Sequence, residues 1–417
     1  MAVNTLEFQG TRYLDGRASD PLQLGWMRGS PPPLAARIAF SDNAFEFPQV
    51  RWSFSHMREL IPTVNVRHSD GGPSVLAGND RTEEIDALIC TDTNGSVRRF
   101  EDTLFDTYTD GYLVLHRGRI VYERYLGVLG PHVPHAAHSI TKSYVGTLAA
   151  ALVHEGVLDD VRTVPNYLPE LQHTAWGDAT LRQVMDMQTG LAYSEEYTDK
   201  NASVWKYSQS VGFRPRPAGY AGPSNLCQYL LSVTKEGEHG ADFSYKTINT
   251  EVLSWVMTRV TGRSLAQLLH EMLWDPLGCE DDGYLTIDVT GMPHAGGGLS
   301  ATLRDMARFG EMMRCDGAYN GKQIIPAEVI RDVRMGDHSA NFTTNGVKSS
   351  YRSQWWVTND EFGAFQASGI HGQRLYIAPS AEMVIARFGS HPIAAASAGH
   401  GPISVPQMRA LGRMLRS

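Results

Sequence analysis

Ser139-Ile-Thr-Lys142-Ser-Tyr-Val-Gly-Thr-Leu148-Ala-Ala-Ala-Leu152-Val-His-Glu-Gly156 is the stretch from which the rest of the chain is read. Val145, Leu148, Ala149, Leu152 and Val153 recur at helical spacing, and Gly156 is a natural stop, so the pattern predicts an amphipathic helix opening at Ser139. A serine at a helix start lies beside unpaired backbone N–H groups at the positive end of the dipole. Lys142 falls one turn on along the same face, where its amine can reach the serine oxygen. A free lysine titrates near 10.4, so a basic role at neutral pH requires burial or a neighbouring cation to lower it by roughly 2–3 units. The plainer reading of Ser139 is an ordinary helix cap. Two further Ser-x-x-Lys patterns, Ser203 to Lys206 and Ser232 to Lys235, lack this context: one falls in an aromatic loop, the other at a helix end.

Upstream, Tyr112–Leu115 and Ile120–Tyr125 flank a turn at His116–Arg119 and predict a β-hairpin. Downstream, helices are expected over 226–231, over 250–261 before Gly262, and after a cap at Thr302. Strand patterns return at 354–358, 374–377 and 382–388, and 408–415 predicts a last helix. Residues 1–50 read as an irregular extension, and 195–223 as a long aperiodic, aromatic loop. Strands at both ends with helices between imply a discontinuous sheet domain, 51–158 and 300–417, with a mainly helical domain over 159–299 inserted.

Composition narrows the class. The 417 residues are 42% hydrophobic and 20% charged, with 37 basic against 45 acidic side chains and net charge −8. No basic stripe exists to neutralise phosphates, so no nucleic-acid partner is expected. Cys90, Cys227, Cys279 and Cys315 are scattered, with neither a disulfide framework nor metal-finger spacing. No leader or spanning segment is read, so the expectation is a cytoplasmic protein without membrane partners. G-x-S-x-G and H-E-x-x-H are both missing, and Gly317–Gln323 departs from a phosphate loop in spacing and in its last residue. His132, His135 and His138 are spaced as ligands can be, but no carboxylate or cysteine completes a set, so neither a metal nor a cofactor is expected.

Ser139-x-x-Lys142, the run Thr180–Leu191, and Gly317–Lys322 occur in the order of the serine β-lactamase and penicillin-recognising superfamily, which the chain resembles from about residue 51 onward. The class C-like esterases and amidases, with their nylon-oligomer branch, are most similar. The likeness there includes Arg51-Trp52, Phe243–Thr250, Gln354-Trp-Trp356 and Gly369–Gln373. The resemblance implies an α/β, β-lactamase-like fold: an antiparallel sheet flanked by helices, plus the inserted helical domain. It implies Ser139 as nucleophile, Lys142 as proton partner, and Tyr245 as a phenol whose pKa the lysine lowers, making it a proton shuttle. It implies an oxyanion hole from the N–H groups of Ser139 and Ile370.

Tyr197, Ser208, Gly296, Trp356 and His371 match substrate-site positions. Ser208 stands where the nylon-oligomer branch has an amine-binding acid, Gly296 where it has an asparagine, and His371 reads as a strand residue. Thr247 and Ala367 replace residues typical of penicillin-recognising enzymes, which argues against antibiotic hydrolysis. The expected function is a serine hydrolase that cleaves a small amide of the aminohexanoate-oligomer type, or a carboxylic ester, through an acyl-enzyme. A β-lactamase or D-aminopeptidase activity, and a catalytically silent ligand-binding protein, are the alternatives. The partner is a small molecule, and the oligomeric state, homodimer included, is left open.

Overall fold

The computed structural model describes residues 5–337, 342–344, 347–396 and 399–416. Its main sheet has eight antiparallel strands. From one edge they are Phe342–Thr344, Val347–Arg352, Trp355–Val357, Phe365–Ser368, Arg374–Ala378, Met383–Gly389, Thr109–His116 and Arg119–Tyr125. The expected hairpin and all three expected C-terminal strands are therefore in one sheet, and Met383–Gly389 pairs with Thr109–His116 across some 270 residues of sequence. A smaller antiparallel sheet is ordered 63–66, 283–286, 299–301, 135–136. It joins strands from both of the expected chain units.

The helix Ile140–His154 lies between the sheet and the helical part. Every residue from Ile140 to Leu152 is buried, so the helix is enclosed all round rather than amphipathic. Its hydroxyl positions imitate an exposed face in sequence but bond internally. Thr141 Oγ1 donates to His138 O at 2.6 Å, Ser143 Oγ to Gln354 O at 2.8 Å and Thr147 Oγ1 to Ser143 O at 2.7 Å. The approach to the sheet depends on Gly146, where a Cβ would stand 2.2 Å from Ser353 O.

Two sequence expectations change. Residues 5–50, the described part of the expected 1–50 extension, are not irregular: Thr5–Phe8 pairs with Thr11–Leu14, and short helical turns follow at 21–24 and 34–36. The segment docks through buried Arg51, whose Nη1 donates to Gly16 O at 2.9 Å and to Ser19 Oγ at 3.0 Å. The other arm of Arg51 meets Asp110 at 3.2 Å, and Asp110 also contacts His135 at 3.2 Å. Such docking depends on contacts distant in sequence, to which local patterning is blind. Within 195–223, Ser203–Ser210 is helical, with Val204, Tyr207 and Ser208 turned inward. No described helix is long and apolar enough to cross a membrane.

Candidate active site

Ser139 opens the buried helix but does not cap it: its side chain makes no capping hydrogen bond. His138 before it takes a left-handed φ of 45°, a turn that presents Ser139 to a cleft. Lys142 Nζ donates to Ser139 Oγ at 2.9 Å and to Gly296 O at 2.5 Å. The lysine is 1% exposed. Burial lowers its pKa to about 8, against the opposing pull of Glu195 and Glu251. The geometry separates this pair from the other Ser-x-x-Lys patterns. Ser232 Oγ bonds Tyr229 O, Lys235 pairs with Asp178, and Ser203 starts a helix whose Lys206 is exposed.

Tyr245 lies in the loop before the helix Ile248–Thr261. Neighbouring bonds anchor this loop: Lys246 Nζ donates to Thr189 O and Leu191 O at 2.9 and 2.6 Å, and Thr247 N to Glu195 Oε2 at 2.7 Å. The Tyr245 phenol is close enough to the Ser139 side chain to be influenced by it, and Lys142 Nζ stands 5.1 Å from its ring centroid. Its expected acidification does not occur. Burial, with Glu195 adding to it, pushes the phenol well above its ordinary value, so Tyr245 stays protonated.

Neither Ser139 N nor Ile370 N has an acceptor among the described residues. A Cβ on Gly369 would stand 2.8 Å from Ala137 O, so the end of strand Phe365–Ser368 is held against the turn that leads into Ser139. The two free amides therefore border one cleft, the arrangement an oxyanion requires.

The cleft is walled largely by Phe45, Phe54, Val204, Trp205 and Phe213. Tyr197 and Ser208 line it as expected. Tyr197 donates to Glu195 Oε1 at 2.6 Å, and Ser208 donates to Val204 O at 2.7 Å. Gly296 also lines it but acts through its backbone. Its carbonyl holds Lys142, its N–H donates to Glu251 at 2.8 Å, and an added Cβ would stand 2.4 Å from Thr247 Cγ2. Trp356 is not part of the cleft wall. It stacks on Tyr245 at 5.3 Å and orients the phenol. His371 lines the cleft from a turn with φ 63°, not from a strand. Burial lowers its pKa to about 4, so it is neutral, with Nδ1 2.7 Å from His391 O.

Polar residues of the site that went unread in the sequence include Glu195, Glu251 and Arg214. Glu251 is fully buried, accepts from Tyr207 Oη, Gly296 N and Ala295 N, and is raised by burial to about 7. In sequence it is a charge on a helix whose apolar face had already been drawn through its neighbours. His132, His135 and His138 do not converge. His132 meets Asp281 at the surface, His135 faces Asp110, and His138 packs on Phe54.

A serine in contact with a buried lysine, with a protonated phenol and two free amides around the same cleft, is an arrangement that fits serine acyl transfer. The chain belongs to the beta-lactamase family, whose model matches residues 97–398. It is a hydrolase acting on an amide or ester bond. It is 34% identical over 366 residues to the 6-aminohexanoate-dimer hydrolase of Paenarthrobacter ureafaciens, covering 87% of this chain and 90% of that one. A solved Bacillus anthracis structure, provisionally named a 6-aminohexanoate-dimer hydrolase, superposes with a TM-score of 0.84 at 31% identity, covering 93% of this chain and 98% of that one. A family VIII carboxylesterase shares the fold at TM-score 0.57 and 17% identity, covering 75% and 95%.

Proposed function

We infer that the protein cleaves a small amide, of the 6-aminohexanoate-oligomer type, or a carboxylic ester through an acyl-enzyme on Ser139. The observation that carries this reading is the 2.9 Å contact between Ser139 Oγ and a buried Lys142 whose pKa has fallen to about 8. Neutral Lys142 takes the Ser139 proton as Oγ attacks the carbonyl, and Ser139 N and Ile370 N stabilise the oxyanion. As the tetrahedral intermediate collapses, Tyr245 gives its proton to the leaving group and regains one from the Lys142 ammonium. Water then attacks the acyl carbonyl by the same route, releasing the acid and freeing Ser139. The substrate is a small molecule, and the free state of all four cysteines supports a cytoplasmic location.

Quenching the protein seconds after mixing with p-nitrophenyl hexanoate, followed by intact-mass measurement and peptide mapping, tests the reading. An acyl adduct on the Ser139 peptide is expected. Ser139→Ala should lose the adduct and at least about a thousandfold of the turnover. Undiminished hydrolysis by Ser139→Ala would overturn the assignment.

A further inference from the structure

Among the described residues Arg214 is the one cleft-lining side chain with a permanent charge, and the mechanism above does not use it. It follows the helix Ser203–Ser210 and is half-buried. Its guanidinium carbon lies 4.5 Å from the Trp205 ring centroid and 5.1 Å from that of Phe45. These aromatic contacts hold the guanidinium through its π faces and leave the N–H edge for hydrogen bonds. Among the described residues no carboxylate or carbonyl accepts from that edge. Cleft-lining Ser208, close by in the chain, spends its hydroxyl on Val204 O. Burial lowers the Arg214 pKa only to about 10, so the charge persists at neutral pH. Burial depresses the basicity of His138 and His371, which flank the two amides, and the Arg214 charge adds to it.

A partly desolvated guanidinium with no anion, facing an apolar cleft beside a nucleophile, is an incomplete ion pair. Glu195 and Glu251 do not complete it. Glu195 is taken up by Tyr197 and Thr247, and Glu251 by Tyr207 and the 295–296 backbone.

We propose that Arg214 binds a carboxylate on the substrate, so that the enzyme selects amides or esters whose apolar chain ends in an acid over neutral or amine-terminated ones. The proposal rests on the hydrolase reading above and assigns that site its substrate class. A planar carboxylate can accept two parallel N–H bonds from the guanidinium edge, while its methylene chain lies against Trp205, Phe213 and Val204.

The experiment compares matched esters and matched inhibitors. Mono-p-nitrophenyl half-esters of the C4 to C8 dicarboxylic acids are set against p-nitrophenyl alkanoates of equal acyl length. For a charge on the leaving side, 6-acetamidohexanoate is set against its amide as an inhibitor of p-nitrophenyl hexanoate hydrolysis. At least one acid-bearing member should exceed its neutral match by about tenfold or more in kcat/KM or in inhibition, a typical selectivity for a charge-assisted pair. Arg214→Met should bring that ratio close to one, and Arg214→Lys should retain part of it. Raising salt should shrink the ratio in the parent enzyme.

Equal rates and equal inhibition across every matched pair would overturn the proposal while leaving the hydrolase reading intact. A preference that survives in Arg214→Met would overturn it too. If neither ester series is hydrolysed, the hydrolase reading fails. The anion site is then decided by adipate and 6-acetamidohexanoate in thermal melts. Stabilisation that is lost in Arg214→Met but partly kept in Arg214→Lys supports the site, and no stabilisation of the parent protein overturns it.

Discussion

In the proposed mechanism Ser139 loses its proton to one of two neighbours, and burial decides between them. Desolvation penalises whichever form is charged, so it lowers the Lys142 amine and raises the Tyr245 phenol. At pH 7.5 a substantial share of Lys142 is neutral and almost no Tyr245 is ionised. In the proposed mechanism lysine is therefore the base, and tyrosine donates to the leaving group. Because the active lysine is the deprotonated one, kcat/KM should rise with pH and level off above an apparent pKa near 8. Glu195 and Glu251 both favour the ammonium form, so Glu195→Gln or Glu251→Gln should move this acid limb to lower pH. A pH–rate profile of each variant against the parent checks the sign, and a limb that moved upward would reverse the roles. The same shift has a stability consequence. The folded lysine binds its proton less tightly than the unfolded chain does, so its contribution is fully present above the unfolded pKa of 10.5 and is lost as pH falls through about 8. The base is thus held at a cost to the fold at neutral pH.

Elements with strong local patterns were legible in the sequence. The helix after Ser139 runs Ile140–His154, the helix before Gly262 ends on that residue in the left-handed conformation, and Thr302 caps its helix through Asp305 N. The C-terminal strands appear as apolar runs because both of their faces are covered. Sequence reading of the buried helix went only partway, since hydroxyls that bond inside a helix look the same in sequence as hydroxyls facing water. Its contact with the sheet yields a prediction. At Gly146 the obstacle is backbone, Ser353 O, which cannot swing aside as a flexible side chain can. Gly146→Ala should therefore destabilise the protein by about 1–3 kcal/mol despite alanine's better helix propensity. Chemical denaturation measures this, and an unchanged midpoint would mean that the helix stands further from the strand turn.

At the scale of the molecule, the cleft is assembled from segments that no local pattern connects: Phe45 near the start of the chain, 204–214 in the middle, Gly296 further on, and Ile370 towards the end. For that reason the nucleophile and lysine were readable from one motif, and Trp205 and Phe213 only as aromatics of a loop that could cover a site or pack on the body, while Arg214 was not. Residues 5–50 belong to this assembly. They supply Phe45 to the cleft and complete the ligation of Arg51, whose charge is balanced by Asp110 inside the core. A detachable extension would tolerate changes at both points, whereas an integral wall would not. Arg51→Met leaves the Asp110 carboxylate buried without its arginine, and breaking such a pair costs about 3–5 kcal/mol, which thermal and chemical melts would record. Phe45→Ala keeps that pair and removes only the ring beside Arg214. It should raise KM for hexanoyl-sized esters several-fold while the rate of Ser139 acylation at saturation changes little, because Phe45 touches neither the serine nor its lysine. If both variants matched the parent in melting and in KM, the N-terminal segment would be an appendage, and the wall of the cleft would have to lie elsewhere.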